Sequence, residues 1–128
     1  MFLDRGLQAR PRELRRILIH EIFHFVWARL SNATRTCFEE MLASEFQDRA
    51  RGELGWSAEY RKEHLRHLPI SGRNARLWRE YACESFCDTA AWFFSGLNRH
   101  EEFTLSLKQK KRRARWFTEY FGQRKLSI

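Results

Sequence analysis

Cysteine is scarce in this chain: Cys37, Cys83 and Cys87 are the only three among 128 residues, an odd number without framework spacing. A disulfide-built secreted scaffold is therefore not expected, and a reducing, cytoplasmic setting fits better. Long apolar runs are missing too. The longest, Ile17 to Leu30, is interrupted by His20, Glu21, His24 and Arg29 and is too short to cross a bilayer, so no membrane partner is expected. The opening residues, MFLDRGLQAR, contain no apolar signal-peptide core. No GxSxG or P-loop pattern occurs, which leaves serine and nucleotide chemistry without support. Strand patterns are nearly absent as well. Only Phe103, Leu105 and Leu107 alternate with polar neighbours, and Met1 to Leu7 is the other stretch that reads as extended.

What remains points to helices around one core. A chain of 15.6 kDa buries about 65 to 70 % of its unfolded surface, enough for a core without staples. With 43 % hydrophobic and 15 % aromatic residues, disorder is excluded. Residues 1–128 read as one domain. Arg12 to Leu30 holds neither Gly nor Pro and follows Pro11, which suits a first helical turn. Thr36 with Glu39 forms a capping-box pattern for a second helix that stops at Gly52. Ser57 is placed to cap a third, ended by Pro69, and Ser71 to Asn74 reads as a loop. Asn74 caps a fourth that runs to about Ser95, and a last helix covers roughly Lys108 to Phe121.

The net charge is +8, and residues 98–128 hold +6 of it. Within Lys108 to Arg115 the basic residues are Lys108, Lys110, Lys111, Arg112, Arg113 and Arg115, and no acid interrupts them. Trp116, Phe117, Tyr120 and Phe121 follow at once. Such a segment can bind nucleic acid or another anionic surface, but a terminal helix with a solvated basic face and an aromatic inner face is the favoured reading.

His20-Glu21-Ile22-Phe23-His24 is an HExxH sequence inside the strongest predicted helix. Residues i and i+4 share a helix face, so two imidazoles there can converge on one zinc ion at about 2.0 to 2.1 Å. Every other residue from Ile17 to Ala28 is apolar, which predicts burial all round this helix. Two imidazoles and a carboxylate buried without partners would cost several kcal/mol, and a metal in a polar cleft supplies those partners. A third ligand is offered by Glu80, Glu84 and Asp88, one turn apart on a single stripe of the later helix. Trp78, Ser85 and Thr89 mark its wetter face. His64 and His67 are alternative donors of a third histidine. Cys83 and Cys87, also i and i+4, suit a thiolate-rich structural zinc site with His20 or His24, although small core residues are the simpler reading.

HExxH followed on a later helix by Glu84-Ser85-Phe86-Cys87-Asp88, an ExxxD pattern, resembles the gluzincin zinc metallopeptidases, in particular their small members. The resemblance covers two helices. It implies a mainly α, zincin-like core in which the HExxH helix packs on the ExxxD helix with at most a small, reduced β-sheet. It further implies one Zn2+ held by His20, His24 and Glu84, with Asp88 hydrogen-bonded to a liganding histidine. Glu80 is the competing third ligand, which would move Glu84 outward. Glu21 would act as general base on a water carried by the zinc, and a peptide or protein would be the substrate. Tyr81, Tyr60, His64 and His67 are candidate donors to the developing oxyanion. The alternative is a non-catalytic or degenerate zincin module that works on nucleic acid or a protein partner through its basic C-terminal segment.

Overall fold

The computed structural model describes residues 11–68, 75–97 and 99–122. Five helices occur among them: α1 (Pro11–Arg29), α2 (Asn32–Gln47), α3 (Trp56–His67), α4 (Ala75–Ser95) and α5 (Leu107–Phe121). No strand is found among the described residues, which agrees with the expectation of a mainly α fold with at most a small, reduced sheet. The alternating residues Phe103, Leu105 and Leu107 do something else. The Thr104 and Leu105 amides both donate to the Glu53 carbonyl, at 2.9 and 3.0 Å, and Leu107 already opens α5. The expected extended segment at 1–7, the stop at Pro69, the loop at 71–74 and the Asn74 cap lie outside the described residues.

Local chemistry explains the helix limits. Pro11 begins α1, with Glu13 in its first turn and Arg29 in its last, as the helix dipole favours. Ser31, not Thr36, caps α2; its hydroxyl accepts the Thr34 amide at 3.1 Å. Thr36 lies inside the helix. Arg35 then reaches back to the Trp27 and Ala28 carbonyls at 2.9 and 3.3 Å, which closes the end of α1. Past α2 the chain turns through Arg49 and Gly52, both at positive φ. At Gly52 any Cβ would run into the Thr104 carbonyl, so glycine is required for contact as well as for backbone conformation. Ser106 caps α5 by accepting the Gln109 amide.

The helix pair in most extensive contact is α1 with α4, followed by α3 with α4. Phe23 of α1 and Phe86 of α4 are fully buried with ring centroids 5.7 Å apart, and Phe38 and Phe117 close on Phe86 at 5.4 and 5.3 Å. Edge and stacked geometries of this kind each add about 0.5 to 1.5 kcal/mol beyond area burial. Phe23 lies one residue before His24, and Phe86 lies between Glu84 and Asp88. The aromatic contact therefore fixes the register that sets His20 and His24 opposite the two carboxylates.

Burial corrects three expectations. α1 is not enclosed all round: Ile17, Leu18 and Phe25 are exposed at 41, 54 and 67 %. Ser85 and Thr89, expected on a wet face of α4, are completely buried. Arg113, counted among the anion-binding cations, is completely buried too. Its guanidinium binds Glu45 through Nε and Nη2 at 3.0 and 2.6 Å and Glu53 through Nη1 and Nη2, both at 2.8 Å. Lys62, also fully buried, adds 3.4 Å to Glu53 and 2.8 Å to the Gly52 carbonyl. Tyr81 and Ser85 donate hydroxyls to the same Glu53 carboxylate. Two cations meet two anions, so the buried charge is balanced. The network fastens α5, α2 and the 48–55 turn to α4.

Candidate metal centre

His20 and His24, one turn apart on α1, project toward Glu84 and Asp88, one turn apart on α4. His24 Nε2 stands 3.0 Å from Glu84 Oε2, and His20 Nε2 stands 3.7 Å from Glu84 Oε1. The other His20 nitrogen, Nδ1, is 2.7 Å from Asp88 Oδ1. One ligand atom each from His20, His24 and Glu84 can be chosen so that all lie within 4.8 Å of one another. Ligands about 2.0 to 2.2 Å from a tetrahedral ion are separated by roughly 3.3 Å, so donors within 4.8 Å of one another would have to draw closer to hold one. These are the residues that the sequence singled out, and the structure brings them together.

The two carboxylates are held by the start of α3. Ser57 donates its hydroxyl to Glu84 Oε1, and the Ala58 amide donates to Asp88 Oδ2 at 3.1 Å. Gly55 sits so close that a Cβ would overlap the Asp88 carboxylate. Arg61 approaches Glu84 Oε1 to 4.0 Å at the rim and also donates to Ser57. Sequence reasoning missed Gly55, Ala58 and Arg61, and placed Ser57 as a cap although Gly55 holds that position. No local signal marks them, because their role depends on where α3 meets α4.

Charge follows geometry. Burial works against a charged His20, but hydrogen bonds to Asp88 and Glu84 outweigh it and raise its pKa from 6.5 to about 10. Burial likewise opposes ionised Glu84, and the histidines and Ser57 win, holding it down to about 2. Asp88 is pushed up by burial, with His20 and the Ala58 amide pulling the other way. In the metal-free site His20 is thus an imidazolium clasped between two carboxylates. A metal ion would take the place of its Nε2 proton.

The remaining candidates lie elsewhere. Glu80 is exposed and faces Arg76 at 3.8 Å, so it neither joins the cluster nor competes for the ion. Tyr81 is fully buried against Glu53. His67 Nδ1 meets the Glu63 carbonyl at 2.7 Å, away from the cluster. Tyr60 and His64 line a shallow groove with Arg61 and Glu80, and no hydrogen bond or ion pair joins either to the cluster. Glu21 is exposed, and no hydrogen bond or ion pair joins it to the cluster. At about 100° per residue it stands roughly 60° round α1 from His24, beside the histidine face.

Comparison with known proteins identifies nothing. No protein-family model, no characterised relative and no solved structure matches the chain.

Proposed function

We propose that this chain is a zinc-dependent hydrolase of the metallopeptidase kind, with His20, His24 and Glu84 as ligands. The observation that carries the reading is the oriented histidine. Asp88 accepts a hydrogen bond from His20 Nδ1 at 2.7 Å and turns Nε2 toward the Glu84 carboxylate that His24 also meets. Carboxylate partners of this kind fix the tautomer and strengthen the ligand. A zinc ion bound there would supply Lewis acidity toward a carbonyl and make water a stronger nucleophile near neutral pH. Glu21 takes the proton of the attacking water and returns it to the leaving amine. Arg61, 4.0 Å from Glu84, would hold a substrate carbonyl, with Tyr60 and His64 of the groove that it lines as the neighbouring donors.

Zinc content of the full chain after mild chelation and repletion tests this reading. The expected result is one zinc per chain, lost in His20→Ala and Glu84→Ala. Glu21→Gln keeps the metal and loses at least a hundredfold in hydrolysis of a mixed peptide substrate. A parent chain that takes up no zinc, or a Glu21→Gln variant as active as the parent, overturns it.

The alternative keeps one supporting observation: Lys108, Lys111 and Arg115 are exposed on α5, spaced to share a side. Nucleic-acid binding through that side weakens steeply with salt and falls in Lys108→Gln/Lys111→Gln/Arg115→Gln, whatever residue stands at 21.

A further inference from the structure

The two ring nitrogens of His24 face different chemistry. Nε2 meets the Glu84 carboxylate at 3.0 Å, whereas Nδ1 lies 3.7 Å from Cys83 Sγ. Cys87 lies one turn further along α4. A His24 nitrogen and both sulfurs all lie within 4.8 Å of one another. His24 and Cys83 are partly exposed and Cys87 is buried beneath them, so the cluster is open on one side and closed on the other. It contains no carboxylate. Two thiols and an imidazole select soft ions, of which Cu(I) and Cd(II) are representative, over the hard cations that oxygen donors prefer.

We propose that His24, Cys83 and Cys87 form a second metal site, specific for a soft ion, that shares His24 with the His20–Glu84 cluster. Binding breaks both S–H bonds and forms two metal–sulfur bonds; the two protons leave to solvent and the ion keeps its oxidation state. An ion on Nδ1 leaves the ring proton on Nε2, where Glu84 accepts it. An ion on Nε2 requires that proton on Nδ1, facing Cys83. A neutral imidazole serves one ion at a time, so occupation of the sulfur site withdraws His24 from the other set. A soft metal would thereby control whether the first site can be filled.

Cd(II) titration of the zinc-free, reduced full chain is the test, with Cys37→Ala as background to silence the third thiol. The expected result is one Cd(II) per chain, an ultraviolet thiolate-to-metal charge-transfer band and release of two protons. The band is lost, or binding is at least tenfold weaker, in Cys83→Ser and Cys87→Ala, and it persists in His20→Gln and Glu84→Gln. Persistence in those two variants also separates this site from the zinc reading, which fails or stands on zinc content alone. Bound Cd(II) lowers zinc uptake by the parent and not by Cys83→Ser. Absence of the band, its survival in Cys83→Ser, or its equal loss in Glu84→Gln overturns the proposal. If Cys87→Ala does not fold, Cys83→Ser, at the partly exposed position, decides alone.

Discussion

Asp88 carries two obligations at once: one oxygen holds His20 Nδ1 at 2.7 Å and the other accepts the Ala58 amide at 3.1 Å. Replacing it with Asn keeps the shape and removes the charge that fixes the ring. Asp88→Asn is expected to bind zinc roughly 10- to 100-fold more weakly, the usual range for loss of such a partner, as measured by competition with a chelating dye. Gly55 bears on the same atom pair. Its φ of 179° is ordinary extended backbone, so the requirement is for space against the Asp88 carboxylate, not for conformation. Gly55→Ala is expected to lower both the melting temperature and zinc affinity, because relief of the overlap has to move either Asp88 or the start of α3. Unchanged zinc affinity in Gly55→Ala would show that Asp88 does not depend on that turn. Glu84 was legible in the sequence through its spacing from Asp88, and the same spacing argument promoted Glu80 equally. One further turn toward the N-terminus of α4 carries Glu80 past α1 and into solvent beside Arg76, which no spacing rule reveals.

Among the elements, α5 departs most from its sequence reading. Its run of cations suggested an outward basic face, yet Arg113 falls on the same side as Gln109, Trp116 and Phe117, four before and three and four after it. That helical phase was available in the sequence and places Arg113 inside. What the sequence could not supply was the pair of anions that makes burial tolerable, since Glu45 and Glu53 are 68 and 60 residues away. Arg113→Met is expected to destabilise the fold by about 3 to 5 kcal/mol, because two buried carboxylates lose their main counter-charge. Chemical denaturation measures this directly, and a loss under about 1 kcal/mol would mean that Lys62 and the hydroxyls suffice. α1 shows the reverse error. Its apolar residues run all round the helix, but only four other described helices are present to cover it, and the side with Ile17, Leu18 and Phe25 stays open around Glu21.

For the molecule as a whole, these charges set a pH window. His20, raised from 6.5 to about 10, contributes stability that is complete below about 6.5 and is lost as pH rises through 10. Glu84 and Glu53, each lowered from 4.5 to about 2, contribute stability present above about 4.5 and lost as pH falls through 2. The metal-free protein is therefore expected to be most stable between roughly pH 4.5 and 6.5, with thermal melts falling on both sides. On the proposed zinc reading, saturating zinc would take the place of the His20 proton and should flatten the alkaline limb up to about pH 10. His20→Gln should remove that limb in the metal-free protein. An alkaline limb that is identical in the parent and in His20→Gln would assign the loss to other groups.

The sequence alone determined the helical class, the approximate course of the helices, the pairing of His20 with His24 on one face of α1 and the acidic stripe of Glu80, Glu84 and Asp88 on α4. All of these depend on spacing along one chain: a period of 3.6 residues places i and i+4 on one face whatever packs against them. Tertiary structure decided which acidic turn of α4 faces α1, that Gly55, Ser57 and Ala58 hold the carboxylates, and that Arg113 is a buried anchor. It also turned one nitrogen of His24 toward Glu84 and the other toward Cys83. These outcomes depend on contacts between residues tens of positions apart, set by how the Phe23–Phe86 seam and the Glu45–Glu53–Arg113 network lock the helices together, and local sequence carries no record of that register.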